Sequence, residues 1–180
     1  MWSNKGNDND DDNDNDNEES FGGWFVQRLE RANMLAIRRD AVLLSCFVMG
    51  RFLIYDLTTS VKVVPGWTVQ DLVWLTGTLS SAVVLVGYWT LAGLLSRSFD
   101  EKNEPRLRRR WDGGVDYGIV VPQILVNVAL SCPIWLATEH LLEFGPSDIG
   151  GSTLEASIGT GFIGLGTSMI LGRALTSEWD

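Results

Sequence analysis

Residues 72–95, "LVWLTGTLSSAVVLVGYWTLAGLL", and 117–138, "YGIVVPQILVNVALSCPIWLAT", contain no charged side chain. A helix needs about 20 such residues to cross a hydrocarbon layer about 30 Å thick, and both runs are long enough. Residues 156–172 form a shorter, Gly-rich uncharged run, and residues 41–60 form a fourth, interrupted by Arg51 and Asp56. None alternates with the period of two that a barrel strand requires, which leaves helices as the spanning form. The pattern predicts an all-α polytopic membrane protein with four transmembrane helices, at approximately 40–60, 71–95, 116–138 and 155–174.

Charge between the runs supports counting the interrupted one. Lys and Arg are retained on the non-translocated side of a membrane. Arg28, Arg31, Arg38 and Arg39 precede the first run, Arg97, Lys102, Arg106, Arg108, Arg109 and Arg110 lie between the second and third, and Arg173 closes the fourth. Residues 61–71 hold only Lys62, and residues 139–155 hold neither Lys nor Arg. This alternation predicts both termini on the same, inner side. At the span ends, Pro65-Gly66 reads as a turn, and Trp67, Trp111 and Trp135 fall where interfacial rings would sit.

The remaining segments divide the chain. The net charge of −9 gathers largely in "DNDDDNDNDNEES". That tract lacks the apolar surface needed to offset its ordering entropy, so residues 1–20 are expected to be a disordered acidic tail. Residues 21–39 are a basic juxtamembrane or interfacial segment. In its stretch 24–37, Phe25, Leu29, Ala32 and Ala36 share helical spacing, which suits a helix lying flat on the inner leaflet or a plain extension of the first span. Residues 40–177 make the four-helix domain, with 96–115 as its basic inner loop. Arg106, Arg108, Arg109 and Arg110 there are able to grip anionic lipid headgroups. Fixing topology is their plainer role, and an acidic chain with one short basic loop offers no nucleic-acid surface.

Candidate chemistry is sparse. His140 and Glu143 share a helix face, but so few ligands are a weak metal signal, and a solvated interfacial histidine is the simpler reading. No cofactor or metal site is expected. Cys46 and Cys132 fall at depths about 15 Å apart, beyond disulfide reach. "GTGFIGLG" has the glycines of a dinucleotide loop without the preceding strand. Its glycines instead belong to a small-residue face, Ser157, Gly161, Gly164, Ser168 and Gly172, that lets another helix approach closely, with Gly77 and Ser81 as a candidate counterpart. In the third run Gln123, Asn127 and Ser131 align at i, i+4 and i+8, with Pro122 and Pro133 interrupting the backbone ladder. Such amides need partners within lipid, as does Arg51. These four residues are therefore the predicted intramembrane polar network, with Asn127 and Gln123 the first partners for Arg51 and Asp56 a poorer one.

An acidic linker, "NDNDDDNDNDNEES", followed by Arg-flanked spans resembles the layout of small multi-span accessory proteins of plastid and thylakoid membranes. The resemblance implies a stromal N-terminus and a part in building or maintaining photosynthetic complexes. The excess of Arg over Lys, with the overall acidity, instead suits a halophilic prokaryote, for which the Asn-rich tail does not specifically argue. Two functions compete. The first is a non-enzymatic accessory or assembly subunit whose partners are the bilayer and other membrane-protein subunits. The second is a transporter of a small solute, ion or proton along the polar residues of spans one and three.

Overall fold

The computed structural model describes residues 21–59, 69–100, 117–142 and 154–176. The acidic tail, Lys62, Pro65-Gly66, Trp67, the basic loop with Arg106, Arg108, Arg109 and Arg110, Trp111 and Glu143 lie outside the described residues, as do the side chains of Asp56 and Ser157. Five helices make up almost all of what is described: α1 (Phe21–Glu30), α2 (Met34–Thr59), α3 (Val69–Leu95), α4 (Tyr117–Leu142) and α5 (Leu154–Thr176). Among the described residues nothing forms a strand, and one isolated bridge joins Ala32 to Asp100.

Residues 24–37 are not one helix, whether flat or continuous. The chain breaks after Glu30 because the Asn33 amide donates to Phe99 O, 2.8 Å away, and so leaves the helical ladder. The Asn33 side chain then accepts from Leu35 N at 2.8 Å and Ala36 N at 3.3 Å, capping a new helix. As a result α2 begins at Met34, earlier than the expected 40, and carries Asp40 inside it. Phe25 and Leu29 of α1 pack on the core, where Ala32 and Ala36 are buried.

Lengths of 26, 27, 26 and 23 residues give α2 to α5 spans of roughly 35–40 Å at 1.5 Å per residue. Each packs against its neighbour in sequence, and α5 returns to α2. The pairing of Asp40 with Trp89, Asn127 with Ser96 and Gly172 with Leu43 makes these neighbours antiparallel, an up-down-up-down bundle. Its interior is built from i, i+4 pairs such as Leu44 and Val48, Leu85 and Trp89, Ile124 and Val128, and Leu165 and Met169. Residues 75–95 of α3 and all of α4 are long and apolar enough to cross a membrane.

The small-residue face of α5 meets neighbours within this chain. A Cβ on Gly161 would lie 3.0 Å from Leu136 Cδ1, one on Gly164 3.5 Å from Phe47, and one on Gly172 2.7 Å from Leu43. Ser168 lies half-buried on the same helix. The counterpart is thus α2 and α4; Gly77 and Ser81 belong to α3, diagonal from α5, and Ser81 faces α4 instead. Larger side chains receive the glycines because the close approach needs smallness on one side alone.

The end of α3 closes with a Schellman turn. Ser98 N donates to Gly93 O at 2.9 Å and Arg97 N to Leu94 O at 3.4 Å, with Arg97 in the left-handed region at φ 58°. Phe99 folds back onto Gly93, where any Cβ would overlap its ring.

Candidate polar sites in the bundle interior

Among the described residues three groups of polar side chains meet in the interior of the bundle. The first lies where α2, α3 and α5 meet. Asp40, on the inward face of α2, accepts from Trp89 Nε1 at 3.0 Å, from Arg173 Nε at 3.1 Å and from Arg173 Nη2. A two-pronged guanidinium and an indole together satisfy both carboxylate oxygens, so a charge pair sits in the core with its hydrogen bonds made. Arg39 Nε approaches the same carboxylate at 3.7 Å.

The second group joins α4 to the turn after α3. Ser96 Oγ donates to Asn127 Oδ1 at 2.7 Å, and Asn127 Nδ2 donates to Ser98 Oγ at 2.9 Å. The amide therefore reads both hydroxyls of the Schellman turn, which explains how a fully buried Asn is tolerated.

The third group contains Arg51. Its Nη1 faces Glu139 Oε2 at 3.5 Å, and its guanidinium lies 4.9 Å from the centre of the Trp135 ring. Ser81 Oγ donates to Glu139 Oε1, and Trp135 Nε1 donates back to Ser81 Oγ at 2.9 Å. Three helices thereby close a loop of carboxylate, hydroxyl, indole and guanidinium, with Phe47 set edge-on to Trp135.

These groupings correct the predicted network. Arg51 pairs with Glu139, not with Asn127 or Gln123. The equal-depth argument fails because Asn127 sits level with the turn at Ser96, whereas Arg51 sits level with Ser81. Twelve residues separate Asn127 from Glu139, about 18 Å of helix. Ser131 bonds back to Asn127 O at 2.7 Å within α4, and Gln123 Oε1 is buried with no hydrogen-bond partner. Trp135 is a buried bundle residue and not an interfacial ring. His140 is exposed, Cys46 and Cys132 are both free, and no group of three His, Cys, Asp or Glu suited to a metal occurs among the described residues.

A signal for Glu139 was present. The stripe Gln123, Asn127, Ser131 continues at the same spacing of four through Trp135 to Glu139. Asp40 and Arg173 carry no such pattern; each reads as an end-of-helix charge until the early start of α2 and the length of α5 are known.

No protein-family model matches the chain, and comparisons with curated proteins and with solved structures give no match. The class is therefore defined by the fold itself: an antiparallel bundle of long helices, apolar outside and charged within.

Proposed function

We propose that the chain is a multi-span integral membrane protein, with α2 to α5 crossing the bilayer and both ends on the Arg-rich side, and that it serves as a non-enzymatic accessory or assembly subunit. One observation carries the reading. Large apolar side chains such as Val42, Leu53, Val83, Ile134, Ile163 and Leu171 point outward, while Asp40, Glu139, Asn127 and Arg173 are inside. Water would favour the reverse arrangement, and lipid favours this one. The layout resemblance makes the thylakoid or inner envelope the first membrane in which to look.

A second reading, an ion or proton path, draws on the Arg51 side chain, which keeps 19% of its surface exposed beside a carboxylate that is 1% exposed. Interior charges of this kind often line transport routes. In the accessory reading the same pair acts as a clamp between helices.

Two measurements test the proposal. In a chain carrying Cys46→Ser/Cys132→Ala, single cysteines introduced as Gly23→Cys and Thr176→Cys should react with an impermeant maleimide from one side of sealed vesicles, and Val64→Cys from the other. Gentle extraction followed by affinity purification should then recover the chain with a larger membrane complex. Recovery as a lone monomer, with ion flux in reconstituted vesicles, would favour the transport reading.

A further inference from the structure

The outward stripe of α2 changes character at one point. Val42, Cys46 and Leu53 follow one another along it, all exposed, with Val42 at 62% and Leu53 at 54%. One turn before Val42 the same face presents Arg38, exposed, and then Leu35 at 61%. Arg31 is exposed in the break just before α2. Among the described residues neither arginine is in an ion pair; Asp40 is taken by Arg173 and Asp100 by Arg28 at 4.0 Å, while Glu30, next to Arg31 in sequence, is exposed.

The rest of this corner is rigid and amphipathic. The bridge from Ala32 to Asp100 and the bond from Asn33 N to Phe99 O pin α1 to the end of α3. Arg28 lies 5.6 Å from the Trp24 ring centre, Trp24 stacks on Phe21, and Phe21 and Val26 stay exposed. The lipid-facing stripe that starts at Val42 gives way, about 6 Å along α2, to the Arg38 guanidinium, with Arg31 in the break beyond it, and this order matches the step from acyl chain to headgroup.

We infer that the α1–α2 corner is a seat for anionic phospholipid headgroups, held by Arg31 and Arg38 while Phe21 and Val26 of α1 lie against the acyl boundary. The inference rests on the membrane bundle proposed above and adds a lipid preference and its location. It differs from the basic loop at Arg106–Arg110 as the source of that preference.

The test uses the full-length chain reconstituted in phosphatidylcholine vesicles. The motionally restricted signal of spin-labelled phosphatidylglycerol is compared with that of spin-labelled phosphatidylcholine. Phosphatidylglycerol should associate about fivefold or more in preference, since each surface arginine near an anionic headgroup contributes about fivefold before screening. Arg31→Gln/Arg38→Gln should bring the ratio near parity with the helical circular dichroism unchanged. Replacing Arg106, Arg108, Arg109 and Arg110 by Gln should leave most of the preference, and so should inorganic phosphate at matched ionic strength. Equal association in the parent chain, a preference that survives the double substitution, or displacement by inorganic phosphate would each overturn the inference. Absence of any restricted signal for either lipid would overturn the membrane bundle itself, a distinct failure.

Discussion

Removing one partner of the Arg51–Glu139 pair should have very different consequences depending on which partner goes. Glu139→Ala takes away the carboxylate that accepts from Ser81 and faces Arg51 at 3.5 Å, and leaves a guanidinium that cannot lose its proton. Breaking a buried pair costs about 3–5 kcal/mol, and because 19% of the Arg51 side chain is exposed the lower end, about 3 kcal/mol, is expected. Arg51→Leu leaves a carboxyl group, which can take up a proton and keep its bond to Ser81, so about 1–2 kcal/mol is expected. Replacing both, Arg51→Leu/Glu139→Leu, should return to within about 1 kcal/mol of the parent, since an apolar pair needs no compensation. Unfolding by sodium dodecyl sulfate in mixed micelles, followed by far-ultraviolet circular dichroism, measures all three. A gap of about 1.4 kcal/mol between the single variants is tenfold in the unfolding constant and easily read. Equal costs for the two single variants, or strictly additive costs in the double, would refute the clamp.

Three further outcomes follow from the same geometry. Asp40→Ala removes the acceptor of Trp89 and Arg173 in a closed site, and should lower unfolding free energy by about 3–5 kcal/mol, with Asp40→Asn between it and the parent in the same titration. Gly172→Val should force α5 from Leu43 at a cost of about 1–3 kcal/mol, whereas Gly166→Ala, with nothing within 4 Å of the new Cβ, should gain up to about 1 kcal/mol from helix propensity; thermal midpoints of the two variants should move in opposite directions. Arg97→Gly relieves the left-handed backbone at φ 58° and should raise stability by about 0.5–1 kcal/mol; an unchanged or lower midpoint would mean that the arginine side chain matters more than its backbone.

Helix existence was legible because long uncharged runs leave little choice of structure, and α3 and α4 match their expected bounds within a few residues. The start of α2 was not legible, because it depends on Asn33 bonding to Phe99, a contact between residues far apart in sequence. That single displacement hid Asp40 as a core residue. The polar stripe of α4 was readable as a face, yet the identity of each partner was not: spacing of four says which side chains align on one helix and says nothing about the vertical offset between two helices. Offset is set by the turns, here by the Schellman closure that brings Ser96 and Ser98 to Asn127 and so lifts Glu139 to the level of Ser81.

The distribution of hydrogen-bond donors also limits how neighbours could recognise this bundle. Outward hydroxyls turn back to their own helix: Thr76 donates to Leu72 O at 2.9 Å and Ser80 to Thr76 O at 3.0 Å. The buried carboxylates find their cations inside the chain. Across the apolar outer surface of α3, then, a helix from another subunit would meet shape and dispersion, with few free polar groups to select it. Selection by charge falls to the ends of the bundle, where Arg31 and Arg38 are exposed. An accessory subunit built this way would be placed laterally by helix fit and in depth by its headgroup contacts, and these two determinants can be altered independently by substitutions at Gly87 on the outer face of α3 and at Arg38.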